Sequence, residues 1–125
     1  MIKMGIMGAG SIAGQMAATI NQMDSQMEVY AIAARDLDRA KDFGKKYGCK
    51  KAYGSYEEML QEEDIDLVYV ALPHSHHYKY AKMSLEAGKN VLCEKAFTVN
   101  AEQAREIIEL AEKKGLFLAA GSDQP

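Results

Sequence analysis

The chain has 125 residues, 48% of them hydrophobic and 26% charged, with a formal net charge of −3. That length holds one domain with a real core but not comfortably two, and the composition is that of a globular protein. The acidic balance, with Lys and Arg interleaved among acids, excludes the concentrated basic surface that nucleic acid or an anionic membrane requires. Neither is expected as a partner. No apolar run reaches the length of a membrane span, and the N-terminus enters a strand-like segment without the features of a signal peptide. The two cysteines, Cys49 and Cys93, make no disulfide framework, which points to a reducing compartment. The cytoplasm is therefore the expected location.

Taken in order, the chain alternates short apolar runs with longer amphipathic ones. Ile2–Met7 reads as a strand. Ser11–Met23 reads as a helix, with Ile12, Met16, Ile20 and Met23 along one face. Met27–Ala34 is a second strand. Asp36–Tyr47 is a second helix, with Leu37, Ala40, Phe43 and Tyr47 inward and Gly48 as its C-terminal cap. A short strand follows at Lys51–Tyr53. Ser55 and Glu58 then make a capping box that opens a short helix through Gln61. Leu67–Leu72 is a buried-strand run, followed by a helix through Ala81 and Leu85 that ends at Gly88. Asn90–Cys93 is the next strand, and Cys93 within it is expected to be a buried structural thiol. Asn100–Lys114 is the clearest helix, with Ala104, Ile107, Ile108 and Ala111 inward. Leu116–Ala120 closes the series, and Gly121–Pro125 reads as a tail.

Strands separated by helices imply crossover connections and a parallel sheet, and near-continuous apolar strands imply cover on both faces. The expected fold is α/β, a Rossmann-type doubly wound parallel sheet of about six strands in three layers, over residues 1–120.

Gly8-Ala9-Gly10-Ser11-Ile12-Ala13 has the form G-x-G-x-x-A. Two glycines alone say little. Here they follow the first strand and open the first helix, the context in which the motif binds a dinucleotide. Gly8 permits the tight turn, Gly10 lets a pyrophosphate approach the backbone, and Ala13 is small enough for close helix packing. The N–H groups at Ser11, Ile12 and Ala13 and the helix dipole favour phosphate. A methyl-donor cofactor is the rival ligand, and a turn holding no ligand is the plainer alternative.

The residue that reads the adenosine ribose lies at the end of the second strand, which places Ala34-Arg35-Asp36 there. A guanidinium matches a 2′-phosphate in bidentate fashion, so Arg35 favours NADP, with NAD second. Asp36 either meets the ribose or caps the next helix.

With these residues placed, the chain resembles the N-terminal domain of the glucose–fructose oxidoreductase / inositol dehydrogenase family. The resemblance spans Met1 to about Leu118. Three stretches carry it: Ala33-Ala34-Arg35-Asp36-Leu37 through Lys41, Ala52 to Glu58, and Val91-Leu92-Cys93-Glu94-Lys95. They are most similar to the NADP-dependent dihydrodiol and D-xylose dehydrogenase branch. The resemblance implies that Glu94-Lys95 belongs to a Glu-Lys-Pro signature, with Lys95 beside nicotinamide and substrate as the catalytic lysine. It implies that Leu72, Pro73 and His74 line ribose and nicotinamide, and that His77 starts the following helix. An ammonium there stabilises a developing alkoxide. Ala96 departs from the signature proline, which loosens the expected placement of Lys95. The three histidines at 74, 76 and 77 invite a metal, but no Cys, Asp or Glu lies close in sequence to complete a ligand set.

The function expected is the NAD(P)-binding domain of an oxidoreductase that moves hydride between nicotinamide and a sugar, polyol or diol. The alternative is a stand-alone, non-catalytic nucleotide-binding or self-associating module. Family members carry a second, substrate-binding domain, which is expected to be absent from these residues. Turnover by this chain alone is accordingly not expected. A face that such a domain would cover suggests a homo-oligomer.

Overall fold

The computed structural model describes residues 2–22, 26–72, 74–93 and 101–120, the side chains of 74, 75, 119 and 120 excepted. Six strands, β1 (Ile2–Met7), β2 (Met27–Ala33), β3 (Lys51–Tyr53), β4 (Leu67–Val70), β5 (Asn90–Cys93) and β6 (Leu118–Ala120), form one sheet in the order β3-β2-β1-β4-β5-β6. Every pairing is parallel. Five helices connect them: α1 (Ser11–Gln22), α2 (Leu37–Tyr47), α3 (Tyr56–Leu60), α4 (His74–Glu86) and α5 (Ala101–Lys114). This is the doubly wound Rossmann order, with its switch point between β1 and β4.

The register makes one edge level. Tyr53, Ala33, Met7, Val70, Cys93 and Ala120 pair in a single row across the sheet. The loops that follow β1, β2 and β4 therefore leave from the same carboxyl edge, where open α/β sheets bind ligands.

Two apolar layers hold the sheet. Met4, Ile6, Val29, Ile32, Leu67 and Tyr69 meet Ala13, Ala17 and Ile20 of α1 and Ala40 and Phe43 of α2. On the other face Met7, Ala31, Val68, Val70 and Val91 meet residues of α3, α4 and α5, including Met59, Leu85 and Ile107. The alternation slips once. Met4 pairs with Val29 but Gly5 with Ala31, so Tyr30 and Ala31 both join the second layer, as a bulge demands.

Local signals read from the sequence hold at the caps. Asp36 accepts from the Asp38 amide at 2.9 Å and caps α2. Gly48 closes α2 at φ 78°. Ser55 Oγ accepts from the Glu58 amide at 3.1 Å and donates to the Glu58 carboxylate at 3.2 Å.

Helix faces differ from the expectation. In α1 the buried residues are Ala13, Gly14, Ala17 and Ile20, while Ile12 is 51% exposed. The turn at Gly8–Gly10 sets the phase of α1, and the helix lies against the sheet on its small residues. The Tyr47 hydroxyl stands 2.7 Å from where a β-carbon on Gly14 would be. Leu37 and Ile108 likewise face outward, at 41% and 43% exposure, and Ile107 with Ala111 forms the buried seam of α5. Met23 lies outside the described residues. Strand ends also shift. β4 stops at Val70 because its ladder with β1 ends at the Ala71 N–H to Met7 carbonyl bond, after which Gly8 turns the partner away. Leu72 thus belongs to a loop. β2 stops at Ala33 and β6 begins at Leu118.

Candidate functional site

The first wall of the site is the β1–α1 turn. Gly8 has φ 99°, and a β-carbon there would stand 2.8 Å from the Ala71 carbonyl oxygen, so only glycine fits. Its N–H donates to the Ala33 carbonyl at 2.8 Å, tying the turn to β2. Gly10 is different. A β-carbon on it would meet nothing within 4 Å, and its φ lies outside the left-handed range. No described protein neighbour demands glycine here, and the bare backbone faces open space among the described residues. The first intrahelical bond runs from Gly14 N–H to the Gly10 carbonyl at 3.0 Å. The amides of Ser11, Ile12 and Ala13 precede it and stand at the positive end of the helix. α1 carries no acidic residue in its first turn, whereas α2, α3 and α5 each do. The turn thus has the donors, the field and the space for a phosphate.

The second wall follows β2. Arg35 and Asp36 leave the sheet edge beside Ala34, whose N–H donates to the Tyr53 carbonyl at 3.1 Å. Asp36 resolves to the cap of α2, and Arg35 turns into the cleft, with its Nη2 3.4 Å from His76 Nε2. Gly8, Gly10, Arg35, Arg39, Tyr56 and Leu72 are among the residues lining a cleft of ≈ 290 Å³. The structure thus brings together the glycine turn, Arg35 and Leu72. Ala13 lies beneath the turn, fully buried, and Ile12 points its side chain away.

The third wall comes from the β4–α4 loop. His77 is 1% exposed, and its Nε2 bonds the Leu72 carbonyl. A carbonyl only accepts, so Nε2 carries the proton. His77 acts on the cleft by holding Leu72 rather than by lining it. His74 begins α4, and its side chain lies outside the described residues, as do Pro73, Glu94 and Lys95. β5, which Glu94 follows, ends in the same level row as β4.

Three cleft-side residues escaped the sequence reading. Arg39, on α2, donates from Nη2 to the Ala9 carbonyl at 3.2 Å. Arg39 lies four residues after Arg35 in the chain, but its meaning depends on how α2 sits against the glycine turn. Tyr56 comes from α3, and burial pushes its hydroxyl above the ordinary tyrosine range, against the opposing pull of Arg35. Only the packing of α3 places it. His76 stacks on Tyr80 at 6.2 Å and 17°. Among the described residues no group of three His, Cys, Asp or Glu side chains could hold a metal ion, and no described helix is long and apolar enough to cross a membrane.

Residues 2–122 match the model of a family described as "Oxidoreductase family, NAD-binding Rossmann fold". The chain belongs to this family. Its relatives include the trans-1,2-dihydrobenzene-1,2-diol dehydrogenase of Mus musculus, 41% identical over 118 residues that make up 94% of this chain and 35% of that protein. The NADP(+)-dependent D-xylose 1-dehydrogenase of Hypocrea jecorina is 43% identical over 94% of this chain and 33% of its own length. A 3-ketoreductase from Actinomadura kijaniata, solved with NADP, superposes with a TM-score of 0.87 at 37% identity, covering 94% of this chain and 37% of that one. GenD2 from gentamicin A biosynthesis, solved with NAD, gives 0.89 at 26% identity, over 96% of this chain and 34% of its own. The chain is an NAD(P)-binding Rossmann domain of this oxidoreductase family, and the relatives it matches include dihydrodiol and D-xylose dehydrogenases. It spans about a third of the length of those relatives.

Proposed function

We propose that this family member is the NADP-preferring cofactor domain of a dehydrogenase that moves hydride between nicotinamide and a carbon of a sugar, polyol or diol. The observation that carries the proposal is Gly10. A β-carbon added there would meet no described protein atom within 4 Å, so no packing contact explains the missing side chain, and a bare backbone is what close approach of a pyrophosphate requires. Arg35 supports NADP over NAD. It lines the cleft just past the end of β2, while the neighbouring carboxylate of Asp36 is engaged in capping α2. The substrate class rests on relatives named for a diol and for D-xylose.

In this assignment Gly8, Gly10, Ser11, Ile12 and Ala13 hold the pyrophosphate with Arg39 beside them, and Arg35 holds the adenosine 2′-phosphate. Leu72, Pro73, His74, His77 and Glu94 shape the nicotinamide side. Lys95 supplies the ammonium that stabilises a substrate alkoxide. The bound cofactor supplies the hydride chemistry itself. The second reading is a module that binds nucleotide or its own copies without turnover. It predicts NADPH binding with no oxidation of any sugar or diol. Thiols at Cys49 and Cys93 support a cytoplasmic location.

The test is titration of NADPH and NADH into the wild type and Arg35→Ala. Losing a charge-assisted bidentate contact is expected to weaken NADPH by about 10- to 100-fold and NADH by less than about threefold. Equal weakening of both, or none, removes the 2′-phosphate role. Absence of binding by either nucleotide removes the cofactor assignment.

A further inference from the structure

His76 sits in the first turn of α4, outside the residues that the family resemblance assigns to the cofactor. Its Nε2 lies 3.4 Å from Arg35 Nη2. A guanidinium only donates, so the imidazole nitrogen accepts. The Nε2 lone pair thus faces the Arg35 guanidinium. Its position is defined by packing. The ring lies nearly parallel to Tyr80, and Tyr80 meets Tyr56 edge-on at 4.9 Å. Tyr56 in turn lines the cleft with Arg35.

The surroundings of this imidazole are cationic. Arg35 faces it from the β2–α2 loop, and Arg39 of α2 lines the same cleft. On α4 itself, Lys79 lies 5.2 Å from the Tyr80 ring centroid, and the first turn of α4 carries no acid. From α3, Tyr56 lines the same cleft, with Glu57 next to it in the chain. The nearest carboxylate on the cleft, Asp36, is engaged at the α2 cap. An anion entering beside Arg35 would meet the two guanidinium groups and the imidazole together.

We propose that His76 is a specificity residue for the 2′-phosphate of NADP(H), taking up a proton from solvent when the phosphate binds and then donating to it from Nε2 beside Arg35. This rests on the assignment of the cleft to NADP. Free, the ring stands 3.4 Å from the Arg35 guanidinium. Bound, the dianionic phosphate replaces the ring as the acceptor for Arg35, and the ring, now protonated, becomes a second donor. NADH brings no phosphate to this point and draws no proton. The arrangement makes the preference for NADPH over NADH rise as the pH falls through the imidazole range.

Calorimetric titration of NADPH and NADH into the wild type and His76→Gln, at about pH 6 and about pH 8, tests this. Each titration is run in two buffers of different ionisation enthalpy, so that proton uptake is read directly. The free 2′-phosphate also titrates in this range, equally for both proteins, so the difference between them reads the coupled His76–phosphate pair. The expected result is that His76→Gln weakens NADPH about fivefold at the acidic pH and little at the alkaline pH, and takes up less proton than the wild type. NADH should be unchanged throughout. Matching affinity and proton uptake in the two proteins overturns the proposal, as does an equal loss for NADH, which marks a merely structural residue. A wild type that binds NADH but shows no preference for NADPH overturns the 2′-phosphate assignment beneath it. A wild type that binds neither overturns the cofactor assignment, and this proposal with it.

Discussion

The guanidinium of Arg39 donates to the carbonyl of Ala9 across 3.2 Å, joining the second helix to the turn that follows the first strand. A cation is thereby held over the loop where the pyrophosphate is proposed to lie, four residues along the chain from Arg35. Arg39→Ala should weaken NADPH and NADH together, by about tenfold, unlike Arg35→Ala, which should separate them. Arg39→Lys should recover only part of the loss, since a lysine presents a point charge without the fork. Fluorescence titration with both nucleotides reads the pattern. A loss confined to NADPH would move Arg39 from the pyrophosphate to the 2′-phosphate.

Gly8 and Gly10 should respond oppositely to alanine. Gly8→Ala places a β-carbon 2.8 Å from the Ala71 carbonyl at a φ of 99° and should destabilise the fold by about 1–3 kcal/mol. Gly10→Ala meets no protein atom. It should leave the thermal midpoint within about 2 °C of wild type while weakening both nucleotides at least about tenfold. Differential scanning calorimetry and titration on the same samples separate the two. Unimpaired binding by Gly10→Ala would sink the pyrophosphate assignment.

Glu62 accepts from Lys51 Nζ at 2.7 Å and from the Tyr53 hydroxyl at 3.0 Å. The Lys51 bond, then the Tyr53 bond, holds its carboxyl below the usual carboxylate range. The folded state thus binds this proton less tightly than the unfolded state does. Its stabilising effect is fully present above the unfolded carboxylate pKa, about 4.3, and fades as the pH falls through the lower folded value. Urea midpoints of wild type and Glu62→Gln should therefore differ at neutral pH and converge under acid. A gap that persists unchanged to low pH would show that the carboxylate charge is not the cause.

On the α1–α2 face, no other helix among the described residues contributes to the apolar layer. Leu92 there is only partly buried, and Ile12, Met16 and Tyr69 line an open depression of ≈ 370 Å³. Exposed apolar surface of this kind associates. We expect concentration-dependent dimers by size-exclusion chromatography with light scattering, and a shift toward monomer in Ile12→Lys. A clean wild-type monomer at high concentration would reject self-association.

Burial pushes the Cys49 thiol up to about 11, so little thiolate exists near neutral pH. Its reaction with a disulfide reagent at about pH 8 should be on the order of a hundredfold slower than that of free cysteine. Mass-spectrometric mapping of labelled peptides over time measures it. Labelling at the free-cysteine rate would show that the site opens readily.

Sequence alone was enough for features that a few neighbouring residues decide. The alternation of strands and helices, the cap at Asp36, the turn after Gly48 and the glycine loop all follow from local backbone preference, and the six-strand sheet follows from their order. What the chain could not disclose locally was rotation and distance. Apolar spacing put Ile12 and Ile108 inward because periodicity weighs side-chain size. The folded helices instead approach on Ala13, Gly14 and Ala17, or along Ile107 and Ala111, since close packing on a sheet favours small residues and a helix phase set by its preceding turn. Arg39, Tyr56 and His76 meet Arg35 at one cleft only because three separate connections leave the same level edge of the sheet. No window of sequence contains that edge, because strand register is a property of pairing between segments far apart in the chain.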